Sequence, residues 1–391
     1  IYRYYSKDYT WEYAAKMNPV LVGALSVPFL VILLFMRVHV GIALYATGFL
    51  GYWLMTGSLH SSVRILATQP WAVTASFTLS CLPLFLMMGA IAGLCGFASE
   101  AYDTAVKWIG KFRGGLAIST TVANALFGAA CGATTAAVAI FTKFSLPEMR
   151  KHGYQPIFAT AAIASSGALA MLIPPSVLMI IYGVLTEQSI GKLFIAGIGP
   201  GIVLTLCIII GTMIMVRLNP KLAPPAVINA SWKDRIFSLS KIWGIVLLGL
   251  IVLGGIYSGV FTPEEAAAIG AFAALIVALV LRQINKKQFR SMLEEATRIN
   301  GMVFILFSGA TLYGRLIALS RLPAMLIEWI QTNNFPPMVF LATLLMLYLI
   351  MGCFMDSISM LTLTLPIVFP ISVSLGWNPL WFATIVIVTV E

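Results

Sequence analysis

Residues 114–142 read GGLAISTTVANALFGAACGATTAAVAIFT, an uncharged run of small and apolar residues. Basic residues flank this run on both sides: Lys107, Lys111 and Arg113 before it, and Lys143, Arg150 and Lys151 after it. Because basic residues beside membrane segments stay on the cytoplasmic side, a single crossing would place one of these clusters on the wrong side. A re-entrant hairpin keeps both clusters inside, with two legs of about 14 residues and a tip near residues 128–135. The run therefore predicts a hairpin that enters the membrane from the cytoplasm.

The composition of the whole chain indicates a membrane protein. Of its 391 residues, 60% are hydrophobic and 10% are charged, and the mean hydropathy is +0.96. Soluble chains carry about 45–50% apolar and about 25% charged residues. A soluble enzyme is therefore excluded, and so is a receptor with one anchor and a large soluble domain. The 24 Lys and Arg residues outnumber the 14 Asp and Glu residues. They lie between apolar runs, so they indicate membrane orientation and not nucleic acid as a partner.

Twelve apolar runs divide the chain, at residues 19–36, 38–56, 71–97, 114–142, 155–185, 192–216, 242–260, 266–281, 300–320, 337–352, 354–371 and 378–391. When the orientation alternates outward from the first hairpin, 17 of the 24 basic residues fall in cytoplasmic connections and seven fall outside. This asymmetry supports the assignment. The runs 337–352 and 354–371 then form a second hairpin, which enters from the outside. Nine full crossings and two hairpins result.

The two hairpins lie in similar surroundings. Each follows a crossing and a short amphipathic arm, AYDTAVKWIGKF (101–112) or RLPAMLIEWIQT (321–332), and each precedes another long crossing. One unit repeated with opposite orientation is the architecture of secondary transporters. The sequence therefore predicts an all-α polytopic membrane protein with an inverted repeat, two re-entrant helical hairpins and broken helices.

This interpretation divides the chain into five parts. They are an interfacial segment or the end of a fused small subunit (1–16), scaffold helices (17–70), the first repeat with hairpin 114–142 and broken helix 155–185 (71–185), further scaffold helices and connections (186–299), and the second repeat with hairpin 337–371 (300–391). The last part is expected to be incomplete at its carboxyl end.

Three places interrupt helices at membrane depth, where free carbonyl groups and helix ends can bind ions and solutes. The first hairpin tip, 128–135, has two glycines for a tight reversal and two threonine hydroxyls. In 164–176 (ASSGALAMLIPPS), a proline pair removes two backbone donors and breaks the helix. The third place, 352–359 (GCFMDSIS), puts Asp356 inside an apolar hairpin, where an acid is costly and functional by default. Plainer interpretations are helix packing by small residues, a proline kink, and a carboxylate near the outer interface.

These places supply a candidate site for a cation and a solute. A hard cation such as sodium takes roughly six oxygen ligands, mostly carbonyls and hydroxyls. The predicted sodium ligands are Gly128, Gly132, Ser165, Gly167, Gly352 and Asp356. The predicted substrate-binding residues are Thr134, Thr135, Ser166, Pro174, Ser176 and Ser357, with Thr134 and Ser166 also offering oxygens to the cation. Asp356→Ala is then expected to abolish cation-driven uptake without loss of protein from the membrane. Glu391 ends the sequence, so its setting is left open.

Long motifs occur in a fixed order along the chain. They are LPLFLMMGAIAG (82–93), LPEMRKHGYQPIF (146–158) followed by IPPS (173–176) and IYG (181–183), GGIYSGVFTPEEAAAIGA (254–271) and MGCFMDSISMLTLTLPIVFP (351–370). From about residue 18 to its end, the chain resembles the large membrane subunit of tripartite ATP-independent periplasmic (TRAP) transporters.

The resemblance implies an elevator mechanism, in which a transport domain with both hairpins slides against a scaffold. It also implies sodium-coupled uptake of a small organic acid in the bacterial cytoplasmic (inner) membrane. The partners implied are a small membrane (Q) subunit, a periplasmic substrate-binding (P) protein and membrane lipid. The family's usual Ser-Gly-Ser at the first tip reads Cys131-Gly132-Ala133 here, so the backbone or the following threonines are expected to replace those hydroxyls. The chain stops before the family's second Pro-Pro break.

Three other functions remain open at this point. The first is another cation-coupled anion transporter of the same superfamily. The second is an intramembrane hydrolase, although the sequence has neither GxSxG nor HExxH and only one acid predicted to be buried at membrane depth, whereas such an enzyme needs further catalytic groups there. The third is a channel. The transporter, which is not an enzyme, accounts best for two hairpins and broken helices, and the solute itself is not specified.

Overall fold

A computed structural model describes residues 17–225, 230–282, 285–333 and 335–391. Every regular element in these ranges is a helix, as the sequence predicts. Residues 1–16, predicted as an interfacial segment or the end of a fused subunit, lie outside the described residues.

The first helices are α1 (Pro19–Phe35), α2 (Val40–Thr56), α3 (Leu59–Thr74), α4 (Cys81–Leu94) and α5 (Phe97–Ile109). The third of these differs from the sequence interpretation, which treats 57–69 as a connection and 71–97 as one crossing. Residues 59–74 instead form a separate helix, bent by 60° from the following segment Thr78–Leu94. The polar side chain of Gln69 is buried in this helix, where its amide donates a hydrogen bond to the Thr311 hydroxyl at 2.7 Å.

The predicted first hairpin is present as α6 (Gly115–Cys131) and α7 (Thr134–Lys151). The chain reverses at Gly132, whose φ of 64° lies in the left-handed region that favours glycine. The two legs run side by side in opposite directions. Two contacts show this: the Thr120 and Ser145 hydroxyls are 2.6 Å apart, and the Phe127 and Phe141 ring centroids are 6.0 Å apart.

The predicted broken helix consists of α8 (Pro156–Gly167), α9 (Leu169–Leu172) and α10 (Val177–Thr186), with a bend of 43° before α10. Neither proline of the pair at 174–175 can donate a backbone hydrogen bond, so the helix ends there. The Ser176 hydroxyl then caps α10 by accepting a hydrogen bond from the Met179 amide at 3.3 Å.

The middle of the chain contains α11 (Ile190–Leu218), α12 (Trp232–Leu239), α13 (Trp243–Gly249), a π-helical turn (Leu250–Gly254), α14 (Gly255–Tyr257), α15 (Pro263–Val280) and α16 (Lys286–Ser320). The last helix begins well before the predicted crossing at 300–320. Its charged first turns are stabilised by a capping box, in which the Asn285 and Gln288 side chains each accept a hydrogen bond from the other residue's amide.

The second hairpin follows the arm α17 (Leu322–Thr332) and consists of α18 (Pro337–Gly352) and α19 (Ser357–Ser374), after which α20 spans Pro379–Val390. Its legs are joined by the Tyr348 and Thr364 hydroxyls, 2.7 Å apart. Residues 353–356 form the tip. Both predicted hairpins and the predicted break therefore exist.

By length and composition, five helices of the described chain can cross a membrane: Ile190–Leu218, Trp232–Tyr257, Pro263–Val280, Lys286–Ser320 and Ser357–Ser374. The two bent pairs raise this number to seven. Of the nine predicted crossings, 19–36, 38–56 and 378–391 correspond to the shorter apolar helices α1, α2 and α20. The number nine therefore stays a prediction.

Helices α2 and α16 pack closely against each other. A Cβ atom on Gly309 would lie 2.6 Å from the Gly41 carbonyl oxygen, and one on Gly48 would lie 2.9 Å from the Leu312 side chain. The Tyr45 hydroxyl also bonds to the Ser308 hydroxyl. Small residues let membrane helices approach in this way.

Candidate functional site

The tips of both hairpins meet at the end of α20. The Thr134 hydroxyl, on the first residue of α7, donates a hydrogen bond to Glu391 Oε2 at 2.9 Å. The Ser357 hydroxyl, on the first residue of α19, donates to the Val390 carbonyl oxygen at 2.9 Å. One hairpin from each repeat therefore contacts the same two consecutive residues.

The first hairpin is also seated along the broken helix. The Asn124 amide nitrogen donates to the Ser166 hydroxyl at 2.7 Å. Four residues further along α6, a Cβ on Gly128 would lie 2.9 Å from Ala170 Cα, and four residues beyond that, a Cβ on Gly132 would lie 2.7 Å from the Pro175 carbonyl oxygen. Residues four apart share one helix face. One face of α6 thus follows the broken helix up to its break.

The structure separates the predicted residues of the first two places. Gly132, Thr134, Pro174 and Ser176 lie at the tip and the break, which adjoin each other. Ser166 is buried, accepts from Asn124 and donates to the Ile163 carbonyl at 3.0 Å, so its hydroxyl is engaged in packing α6 against α8.

The other members of that set are placed as follows. Gly128 is buried against α9, Gly167 is buried beside Val138 and Thr134, and both Ser165 and Thr135 are exposed. The structure therefore brings Gly167 close to the tip, leaves two hydroxyls accessible and gives Gly128 a packing role. The binding roles of all these residues stay predictions.

At the second tip, Asp356 and Gly352 are both exposed in the described chain, so other parts of this chain do not bury the acid. The depth of Asp356 in the membrane and its role as a sodium ligand stay predictions. The Asp356 carboxylate caps α19 by accepting from the Ser359 amide at 3.1 Å and from the Ser359 hydroxyl at 2.5 Å. This cap is sufficient to explain why residue 356 is an aspartate, because an aspartate at the start of a helix accepts hydrogen bonds from amides that have no partner within the helix.

Two variants separate the cap from the charge at this tip. Asparagine caps helices about as well as aspartate, whereas alanine costs about 1 kcal/mol. We expect Asp356→Asn to keep uptake within about twofold of the unchanged protein, and Asp356→Ala to lower the amount of folded protein. Uptake and folded yield, measured together in vesicles, check this. Loss of sodium dependence in Asp356→Asn would instead show that the carboxylate binds the cation.

The sequence alone does not specify the setting of Glu391, and the structure puts this residue at the centre of the site. One carboxylate oxygen accepts from Thr134, and the other, Oε1, is buried without a hydrogen-bond partner among the described residues. An unpaired buried carboxylate oxygen calls for a further donor or a cation. The only sequence signal is an acid that directly follows an apolar run.

Two other contacts were not predicted. The Tyr182 hydroxyl of the IYG motif donates to the Pro379 carbonyl at 2.9 Å, which joins α10 of the first repeat to α20 of the second. On α4, a Cβ on Gly89 would lie 2.7 Å from Cys131 Cα and from its carbonyl oxygen. The hairpin tip therefore touches α4 backbone to backbone.

Two hairpins with meeting tips, a broken helix and an inverted repeat together define a secondary transporter fold. The sequence model of the family described as "Tripartite ATP-independent periplasmic transporter, DctM component" matches residues 27–391. The chain belongs to this family, and it is an integral protein of the inner membrane.

Individual relatives agree with the family match. The C4-dicarboxylate TRAP transporter large permease DctM of Pseudomonas aeruginosa is 34% identical, over 84% of this chain and 77% of its own. The sialic acid TRAP transporter large permease SiaM of Vibrio cholerae is 29% identical, over 91% and 82%. The isethionate TRAP transporter permease DctMQ of Oleidesulfovibrio alaskensis is 31% identical, over 95% and 57%. All three are named as transporter permeases, not as enzymes.

A solved structure has the same fold. The YdaH transporter of Alcanivorax borkumensis superposes with a TM-score of 0.57 at 15% sequence identity, over 96% of this chain and 86% of that chain. At this identity the likeness concerns the fold alone, and it agrees with the helical architecture described above.

Proposed function

We propose that this large permease subunit imports a small carboxylate-bearing solute, coupled to sodium, by an elevator movement of the two hairpins. The observation that carries the proposal is the Glu391 carboxylate between the hairpin tips, with Oε1 buried and unpaired in the described part of the chain. A cation bound there would neutralise the carboxylate. A site that is stable only with its cation couples solute movement to the cation gradient.

The oxygen atoms at this point suit sodium. The Glu391 carboxylate, the Thr134 and Ser357 hydroxyls and the Val390 carbonyl adjoin one another through the hydrogen bonds described above. Hard cations prefer such oxygen ligands. No group of three or more His, Cys, Asp or Glu residues suited to a metal ion occurs among the described residues, so a single carboxylate with neutral oxygens favours a monovalent ion.

Helix ends favour an anionic solute. The amino ends of α7 and α19 both lie at the tips, and the amino end of α10 lies at the adjoining break. Helix amino ends attract anions because their first amides are unpaired and the helix dipole is positive there. Ser176 and Asp356 cap α10 and α19, but no side chain caps α7. The amides at the start of α7, with the Thr134 and Thr135 hydroxyls, are therefore the proposed carboxylate-binding groups.

The names of the relatives support this solute class. Those of Pseudomonas aeruginosa and Vibrio cholerae are named for a C4-dicarboxylate and for sialic acid, both of which carry carboxylates. We propose a periplasmic binding protein and a small membrane subunit as partners. The name DctMQ and the greater length of the Oleidesulfovibrio relative fit a large and a small subunit in one chain.

Uptake into proteoliposomes tests the proposal. The permease would be reconstituted with its small subunit and binding protein, and a panel of radiolabelled acids would be screened with an inward sodium gradient. We expect accumulation of at least one acid, which falls to the level of protein-free vesicles when the gradient is collapsed or when potassium replaces sodium. Accumulation unchanged by collapse of the gradient would refute the coupling.

A further inference from the structure

A cavity of about 430 Å³ lies between the first hairpin and the first turns of α16. Its walls include Cys131 and Ala133 at the hairpin tip, Ala139 and Lys143 further along α7, and Gln288 and Ser291 on α16. We call this cavity the cytoplasmic vestibule, because the charge pattern places Lys143 and the start of α16 on the cytoplasmic side. The vestibule extends from that side to the tip of the hairpin.

Among the lining side chains that the structure describes, the charged one is Lys143. This lysine is exposed, and no described acid lies within salt-bridge distance of it, since the two ion pairs found join His152 to Glu148 and Arg290 to Glu294. The remaining lining residues are small, apolar or neutral. Lys143 is therefore the source of charge among the described lining residues.

The nearby acids of the arm α5 interact with other lysines. Partial burial raises the pKa of the Asp103 carboxyl, and Lys107 and Lys241 oppose this shift. Burial likewise raises the pKa of Glu100, with Lys241 again opposing. Neither of these two acids has Lys143 among the groups that shift its pKa.

From this geometry we propose that the cytoplasmic vestibule is the passage through which the anionic solute leaves the hairpin tip, with Lys143 as its positioning residue. The inference rests on the proposed function in taking the solute to be an anion. A cleft with charge of one sign and low-dielectric walls raises the local concentration of the opposite charge. The ammonium group attracts the carboxylate of the solute from the tip toward the cytoplasm. Because it is a strongly hydrated charge on a flexible side chain, it then releases the carboxylate into the cytoplasm.

The potential can be measured without transport. In a protein whose five native cysteines are replaced, Ala139→Cys puts a thiol four residues before Lys143 on the same face of α7. In inside-out vesicles, the rate of modification by an anionic thiosulfonate is divided by the rate for a cationic one. We expect Lys143→Gln to lower this ratio about three- to tenfold, as a unit charge about 6 Å away in a water-like medium predicts. Lys143→Arg should keep the ratio, and so should Lys111→Gln, which lies outside the vestibule.

A second reporter and a transport measurement complete the test. Ser291→Cys on the opposite wall should show the same change in ratio, so a folding defect in one reporter does not decide the result. Solute exchange should show a KM on the cytoplasmic side raised several-fold in Lys143→Gln, restored in Lys143→Arg, with an unchanged KM outside. Modification ratios that stay the same in Lys143→Gln at both reporter cysteines would overturn the inference. If Lys143→Gln changes the modification ratios but the protein without substitutions transports none of the tested organic acids, the electrostatic potential is confirmed and the proposed function fails instead.

Discussion

Gly132→Ala is expected to reduce uptake more than about tenfold while the protein still reaches the membrane. Two effects combine at this tip. A residue with a side chain costs roughly 1–2 kcal/mol at the left-handed φ of 64°, and a Cβ atom 2.7 Å from the Pro175 carbonyl must displace backbone, which costs about 1–3 kcal/mol. Each 1.4 kcal/mol changes an equilibrium constant by roughly a factor of ten. The two costs together therefore lower the fraction of protein in which the hairpin packs against the helix break by more than about tenfold.

Gly376→Ala is the matched control for this variant. Gly376 also has a positive φ, of 76°, but no atom lies within 4 Å of the position of a Cβ there. It therefore shares the backbone strain without the overlap, and we expect nearly normal uptake. The two variants are compared by uptake per folded transporter, with insertion checked by the amount of protein in the membrane fraction and folding by gel filtration in detergent. Equal losses in both variants would mean that strain alone, and not the seating against Pro175, is responsible.

Glu391→Gln is expected to weaken sodium activation of uptake at least about tenfold, which corresponds to about 1.4 kcal/mol. Glutamine keeps the shape of the side chain and still accepts from Thr134, but it removes the charge that faces the unpaired side of the site. The measurement is uptake as a function of sodium concentration, with saturating solute and a fixed membrane potential.

The control for that measurement is Glu328→Gln, an exposed acid on the arm α17. It removes the same charge from the chain at a distance from the hairpin tips and should leave the sodium curve unchanged. Thr134→Val tests the same centre from the other partner, since valine has a similar shape without the hydroxyl, and it should shift the sodium curve in the direction of Glu391→Gln. A normal sodium curve in Glu391→Gln would contradict the assignment.

Elements that have a local signal in their own residues could be predicted from the sequence. The flanking lysines and arginines and the small residues around Gly132 predict the first hairpin, and the prolines at 174–175 predict the helix break. Both signals are local: one is the side of the membrane on which a charge is stable, and the other is a missing backbone donor. The structure contains both features, but the second leg α7 continues to Lys151, beyond the predicted end of the hairpin at 142.

Other elements depend on contacts that no local pattern reveals. Helix α3 contains enough polar residues to resemble a connection. Its Gln69 can be buried because the Thr311 hydroxyl, far along the chain, accepts a hydrogen bond from the side-chain amide. The charges at the start of α16 predict a connection, whereas Asn285 and Gln288 form a capping box there and the helix has already begun. The contact of Thr134 with Glu391 joins residues 257 positions apart. Such a pairing requires the fold.

The contact between Gly89 and the first hairpin tip has a consequence for how the first repeat moves. Backbone meets backbone there, with Cys131 Cα and its carbonyl oxygen 2.7 Å from the place where a Cβ atom of residue 89 would be. Helix α4 and the first hairpin both belong to the repeat at 71–185, so in the proposed elevator movement they travel together and this contact is kept. A side chain at position 89 would push α4 away from the tip. Gly89 therefore helps the tip to keep its place while the repeat slides.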